Sequence, residues 1–307
     1  MGQHGYGEAN GKVILIGEHA VTFGEPAIAI PFTTGIVRAS IDELEQNSQS
    51  YVNSDVYEGE LIYAPEHLKS VIDRFIEQYH INTPIKVTIE TNLPASRGLG
   101  SSAAMAVAFV RASFDYINKP LTDAQLIEEA NWAERIAHGK PSGIDTQTIV
   151  SNKPVWFHKG RVTQLKPLSL KGYMIVIDTG VRGSTKQAVE DVHQLCNNDN
   201  TYKQYIKQIG KLVFEASESI EHSNFLKLAS VFNLCQDYLR TLTVSHEKIE
   251  KLIKSSMSQG AIAGKLTGGG RGGSMIMLAA SIDIAEKIAQ NALDLGAHHT
   301  WIEYLGG

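Results

Sequence analysis

Several stretches of this sequence place polar side chains and glycines at spacings that could serve chemistry. The strongest is Pro94-Ala95-Ser96-Arg97-Gly98-Leu99-Gly100-Ser101-Ser102-Ala103-Ala104, between a strand-like run and a helix-like one. Glycines and serines at such a turn let backbone N–H groups converge on an anion, and the positive end of the helix dipole adds to them. Phosphate is the natural guest. The same spacing equally suits a plain helix N-terminus with Ser101 or Ser102 as its cap. Two common phosphate loops do not fit. Gly98-Leu99-Gly100-Ser101-Ser102-Ala103 has a permitted Ala at the third glycine place of G-x-G-x-x-G, but no βαβ unit with an acidic residue on the next strand. Gly11-Lys12 is followed by Val13, which breaks the P-loop pattern.

The run Gly11 to Val21 carries Lys12 at the entrance of an apolar strand and the pair Glu18-His19 at its exit. In isolation these read as a solvated strand-end charge and a turn histidine. Further on, Glu134 falls in the last turn of a helix, and Asp145 follows a Gly-Lys-Pro break. Ser142 and Asp145 have capping-box spacing, so Asp145 alone reads as structural. Near the C-terminus, Thr267-Gly268-Gly269-Gly270-Arg271-Gly272-Gly273 lies between two strands and holds more glycine than a hairpin needs. Such a loop is expected to lie against another backbone or a ligand.

These segments need a scaffold. At 307 residues the chain is long enough for two domains of roughly 100 to 200 residues each. Hydrophobic residues make up 43% and charged residues 20%, which excludes a disordered, collagen-like or disulfide-scaffold chain. Lys+Arg 28 against Asp+Glu 33, a net charge of −5, argues against nucleic acid or a membrane surface as the main partner. The 27 glycines exceed the usual share of about 7% and cluster in the stretches above. Cys196 and Cys235 have no metal-ligand spacing and read as two reduced core thiols. No secretory leader and no membrane-length apolar run is seen, so a cytoplasmic location is expected.

Strands are expected at 13–16, 27–30, 36–41, 86–91, 155–158, 162–165 and 173–178. Leu68, Val71, Ile72, Phe75, Ile76 and Tyr79 mark an amphipathic helix that begins after Pro65. A nearly all-apolar helix follows the Gly98-Gly100 turn to about Tyr116, and a capped one starts at Thr122 with Gln125 three places on. Residues 184–259 read as mostly helical, before a closing strand, glycine loop, strand, helix and strand. The fold class is α+β, divided into residues 1–165 and 166–307.

Taken in order, the segments resemble the three motifs of the GHMP kinase superfamily. Gly17-Glu18-His19-Ala20-Val21-Thr22-Phe23-Gly24-Glu25-Pro26-Ala27 and His138-Gly139-Lys140-Pro141-Ser142-Gly143-Ile144-Asp145 are similar to its mevalonate kinase branch. The resemblance implies a two-domain ATP-dependent kinase with an N-terminal α/β domain, a C-terminal domain with a ferredoxin-like core, and an active site in the cleft between them. Its reaction would move the γ-phosphoryl of ATP to the C5 hydroxyl of mevalonate. By the same resemblance, Pro94 to Ala104 would wrap the ATP phosphates, Ser102 and Glu134 would hold Mg²⁺, and Asp145 would be the catalytic carboxylate with Lys12 beside it. Glu18, His19 and Thr185 would face the substrate, and Thr267, Gly268, Gly269 and Gly270 would support the loop. A monomer or a homodimer is consistent with the family.

Three positions depart from the family pattern: Asn10, Ser96, and Arg271, which would reach either a phosphate or solvent. A phosphomevalonate or sugar kinase is the first competing reading. Val21 stands where galactokinase-like chains carry an acidic residue, and the first 100 residues lack the dense basic cluster that a phosphorylated substrate would call for. A decarboxylase relative or an inactive binding module is the second. The intact candidates for base, lysine and metal ligands disfavour the inactive module, and the decarboxylase's own first-motif pattern is missing.

Overall fold

The computed structural model describes residues 2–95, 97–138 and 143–306. Ser96 and the run Gly139-Lys140-Pro141-Ser142 lie outside the described residues. The chain forms two compact units, one of Met1–Gly11, Gly35–Ala95 and Gly100–Asn152, the other of Lys12–Thr34, Ser96–Leu99 and Lys153–Gly307. The elements run β1 (His4–Ile16), β2 (Ala27–Glu43), β3 (Tyr51–Asn53), β4 (Glu58–Glu60), α1 (Glu66–Gln78), β5 (Ile85–Thr91), α2 (Ser101–Tyr116), α3 (Asp123–His138) and α4 (Ile144–Ser151). They continue with β6 (Val155–His158), β7 (Arg161–Gln164), β8 (Tyr173–Asp178), α5 (Thr185–Asn198), α6 (Asn200–Glu221), α7 (Phe225–Thr241), α8 (Glu247–Ser258), β9 (Ala263–Leu266), β10 (Ser274–Ala279), α9 (Ile282–Asp294) and β11 (His299–Tyr304).

In the first unit, β2 pairs antiparallel with β5 from Val37 opposite Thr91 to Glu43 opposite Ile85. β3 joins β5 in parallel, and β4 closes the edge. The apolar α2 is buried along most of its length, as its composition requires, and packs against α3 and α4. β1 lies directly on it. A Cβ on Gly5 would come within 2.3 Å of the Ala112 carbonyl, and one on Gly7 within 2.2 Å of the Ala108 carbonyl, so only glycine fits there. α1 buries Leu68, Ile72 and Phe75, with Phe75 edge-on to Phe109 at 5.9 Å. The capping box forms before α3: the Thr122 backbone N–H donates to Gln125 Oε1 at 3.1 Å, and the Gln125 N–H donates to Thr122 Oγ1 at 3.3 Å.

The second unit contains the antiparallel sheet β11-β8-β10-β9. All six residues of β10 and five of six in β8 are buried, which means both faces are covered, and this explains their near-continuous apolar sequence. α7 and α8 pack on β9, and α9 packs on β8 and β11, completing the expected α+β core. Cys196 and Cys235 are buried free thiols, as expected, and burial pushes Cys235 up to about 12. Among the described residues, no helix is long and apolar enough to cross a membrane.

The strand expectations fail in one informative place. Pro31 and Gly35 suggest a break between two strands, yet β2 is continuous from Ala27 to Glu43. Its ends are held by different partners, β6 at Ala27–Ala29 and β5 from Val37 onward. In the interval, the Glu303 carboxylate accepts from the Thr33 and Thr34 backbone N–H groups, each at 3.1 Å, and from both threonine hydroxyls. A side chain distant in sequence thus does the work of a ladder. β3 and β4 also went unforeseen, because three-residue strands carry no readable period. Glu303→Ala leaves these donors without their acceptor and is expected to cost about 3 kcal/mol of stability, read as a lower urea midpoint; an unchanged midpoint would show that water replaces the carboxylate.

Candidate active site

In the second unit, the loop after β9 gathers the segments that the motifs single out. Thr267 Oγ1 donates to the Ile14 carbonyl at 2.9 Å, and His19 Nε2 lies 3.0 Å from the Gly269 carbonyl. Lys265, on β9, donates to Glu18 Oε1 and, at 2.7 Å, to the Leu266 carbonyl. Both side chains of this ion pair are fully buried, with the ammonium 5.5 Å over the Phe232 ring. Gly98 meets Gly268 backbone to backbone, and the Lys12 N–H donates to the Leu99 carbonyl at 2.9 Å. A Cβ on Gly269 would sit 2.4 Å from Thr185 Oγ1, and one on Gly270, at φ 73, would sit 2.2 Å from the Val244 carbonyl. The surplus glycine of this loop is therefore required by close approach.

Arg97 and Arg271 both turn away from the role of free cation. Arg97 Nε lies 3.3 Å from Asp178 Oδ1, and its terminal nitrogens donate to the carbonyls of Val181 at 2.5 Å and Gly180 at 3.2 Å. Its guanidinium thus ties the 97–99 segment to the turn after β8. Arg271, left open by its sequence, pairs with Asp191 on α5 and donates to the Thr243 carbonyl at 3.3 Å. That contact holds the Asp191 carboxyl below the usual carboxylate range.

Glu18 and His19 are shaped by burial. Desolvation pushes the Glu18 carboxyl up, opposed by Lys265 and, less strongly, by Lys12. Desolvation also lowers His19 to about 4, with Arg271 and His193 acting in the same direction and the Gly269 carbonyl against it. A nitrogen facing a carbonyl must carry the proton, so Nε2–H is the neutral tautomer and Nδ1 is left as an acceptor. Glu18 Oε2 and His19 Nδ1 are buried without hydrogen-bond partners among the described residues. His19 also holds φ 59, in the left-handed region that non-glycine residues seldom occupy.

In the first unit, the cap position of α2 is Gly100, at φ 73, and both serines lie inside the first turn, so the alternative in which Ser101 or Ser102 caps the helix does not hold. Ser102 Oγ donates to Glu134 Oε1 at 2.5 Å, and Glu134 is only 6% exposed. The two residues singled out as metal ligands are therefore neighbours. Beside them is a small cavity lined by Leu68, Val71, Ile72, Ile89, Met105 and Phe109. Pro94 is half-buried and Ala95 exposed, and Ala103 and Ala104 are buried in α2. Asp145 is half-buried in the first turn of α4, whose cap position is Gly143 at φ 78. This register places Asp145 at the second helical position; Ser142, the other half of the capping-box spacing, lies outside the described residues. Thr185, the first residue of α5, is exposed. Among the described residues, no group of three or more His, Cys, Asp or Glu side chains is placed to hold a metal.

Lys265 and Asp178 carry no role in the sequence reading. Their signal is faint: each is a lone charge in or at the end of an otherwise apolar strand, where an ion must find a partner. The depressed His19 value carries a sign that can be tested. Below the ordinary histidine pKa of about 6.5 the unfolded chain binds a proton that the folded chain refuses until about pH 4, so this group's contribution to stability is lost as pH falls. The stability advantage of wild type over His19→Asn is expected to shrink by about 2 kcal/mol between pH 7 and pH 5, measured by urea denaturation. Parallel pH dependences in the two proteins would contradict a neutral buried His19.

The chain is similar to known proteins along its full length. Residues 66–152 match the GHMP kinases N terminal domain and residues 206–297 the GHMP kinases C terminal domain. The chain is 30% identical over 295 residues to a mevalonate kinase of Pyrococcus abyssi, covering 88% of this chain and 87% of that one. It is similar to the crystal structure of mevalonate kinase from methicillin-resistant Staphylococcus aureus, with 57% identity, a TM-score of 0.85, and coverage of 99% and 100%. The Leishmania major mevalonate kinase in complex with R-mevalonate is 25% identical with a TM-score of 0.83, covering 100% of this chain and 97% of that one. With both family domains matched in order and full-length likeness to these enzymes, the chain belongs to the GHMP kinases, within their mevalonate kinase group.

Proposed function

We propose that this chain transfers the γ-phosphoryl of ATP to the C5 hydroxyl of mevalonate, giving 5-phosphomevalonate and ADP in the mevalonate route to isoprenoids. The observation that carries this reading is the full-length likeness to the staphylococcal enzyme. Residues 1–165 and 166–307 serve as the two functional halves, with one family match in each, although Lys12–Thr34, Ser96–Leu99 and the chain from Lys153 onward pack in one compact unit with the C-terminal half. The enzyme works in the cytoplasm as a monomer or homodimer.

The Ser102 hydroxyl and the Glu134 carboxylate, 2.5 Å apart, are hard oxygen donors and suit Mg²⁺, which takes few protein ligands and keeps its waters. When bound, Mg²⁺ offsets the negative charge of the ATP phosphate oxygens. The backbone N–H groups of the 94–104 segment and the N-terminus of α2 hold the same phosphates. Lys12 stabilises charge on the transferred group. Phosphoryl transfer asks a protein mainly for positioning and charge stabilisation, so fixed amides and a fixed ammonium are what the reaction needs. As the new O–P bond forms and the bond to ADP breaks, the C5 hydroxyl proton passes to the Asp145 carboxylate. Glu18, His19 and Thr185 form the substrate wall, with Thr267, Gly268, Gly269 and Gly270 supporting it.

ADP release measured with mevalonate, phosphomevalonate, galactose and homoserine tests the substrate: turnover of mevalonate is expected, and activity confined to galactose or homoserine would end this reading. Asp145→Asn is expected to lower kcat by about a hundredfold or more with little change in nucleotide affinity. Near-wild-type turnover would remove it from catalysis. For the metal, Glu134→Gln should raise the Mg²⁺ concentration needed for half-maximal rate, whereas an unchanged requirement would exclude Glu134 as a ligand.

A further inference from the structure

The Lys265–Glu18 pair is costly to build. Both side chains are fully buried, and taking two charges out of water costs about as much as their attraction returns, so apolar residues of similar size would serve stability equally well. What the pair does fix is direction. The Lys265 ammonium is directed by Glu18 Oε1, by the Leu266 carbonyl at 2.7 Å and by the face of Phe232 at 5.5 Å. Glu18 therefore has one orientation.

The next residue, His19, sits at φ 59, a conformation that is strained for a non-glycine residue and persists only where its surroundings over-determine it. Its imidazole is fastened by Nε2 to the Gly269 carbonyl. Consecutive side chains of the turn are thus tied to β9 and to the loop after it, one by Lys265 and one by Gly269. The result is two buried acceptors, Glu18 Oε2 and His19 Nδ1, that find no donor among the described residues. A substrate hydroxyl is the complementary donor.

We propose that Lys265 is a positioning residue for the acceptor substrate: by orienting Glu18 it holds the strained Glu18–His19 turn in the form that receives a substrate hydroxyl. This rests on the reading of Glu18 and His19 as substrate wall. Lys265 does not touch the reacting atoms, and its removal acts on the acceptor substrate rather than on ATP.

The test compares wild type, Lys265→Met and the double variant Glu18→Gln/Lys265→Met in steady-state assays with mevalonate and ATP, together with thermal midpoints. Lys265→Met is expected to raise the KM for mevalonate about tenfold or more while the KM for ATP stays within about twofold. The double variant, in which both charges are gone, is expected to recover the thermal midpoint lost in Lys265→Met while keeping the raised mevalonate KM. Equal changes in both KM values, or recovery of the mevalonate KM along with the midpoint, would reduce Lys265 to a structural role. If Lys265→Met does not fold, Lys265→Arg decides, because it keeps the buried charge but shifts the point at which Glu18 is held: a mevalonate KM raised severalfold with an unchanged ATP KM supports the proposal, and wild-type KM values for both overturn it. A wild type that does not phosphorylate mevalonate overturns the substrate reading instead, and the same split is then read on whichever acceptor it does phosphorylate.

Discussion

Much of the second unit depends on how closely backbone can approach backbone around the loop after β9. At Gly269 and Gly270 the distance left for a Cβ is 2.4 Å and 2.2 Å, less than any real side chain tolerates. This lets the loop touch Thr185 and Val244 directly, while Gly268 lies against Gly98. Segments that are far apart in sequence, at 14–19, 97–99, 185 and 244, are therefore each brought against this one loop. Hydrogen bonds from Thr267 and His19 then fix the register that the fit allows.

Charge is used sparingly and inside. Lys265 with Glu18 and Arg97 with Asp178 take ionised groups out of water, and each joins one motif-bearing segment to a strand of the sheet or to the turn that follows it. Such pairs return little stability, because desolvation offsets attraction, but an unpaired partner would be heavily penalised. The pairing is consequently directional and hard to rearrange. Arg97 illustrates the consequence. Its place in a phosphate-loop motif suggests a phosphate ligand, whereas its guanidinium is engaged by Asp178, Gly180 and Val181, so its effect on the loop is to hold it.

The elements with a strong period were legible in the sequence. The amphipathic stripe of α1, the apolar α2, the Thr122–Gln125 cap and the buried β8 and β10 each follow from local pattern, since the residues that form the element also carry its signal. The pairing of Ser102 with Glu134 was reached through the motif and not through spacing, because nothing local ties residues on separate helices. The continuity of β2 was not legible. Pro31 and Gly35 are honest break signals, overridden by a carboxylate that arrives from β11.

The sequence alone determined the α+β class, the reduced cysteines, the places where glycine would be needed and the family. All of these reside in composition, period or short motifs that survive without a third dimension. Tertiary structure decided which partner each charge finds. It sent Glu18 to Lys265, Arg97 to Asp178 and Arg271 to Asp191, set His19 in its strained and neutral form, and put Gly100 and Gly143 at the cap positions of α2 and α4. The reason is physical: a charge removed from water is stabilised by whatever the folded chain places a few ångströms away, and that neighbour is set by packing, not by sequence distance.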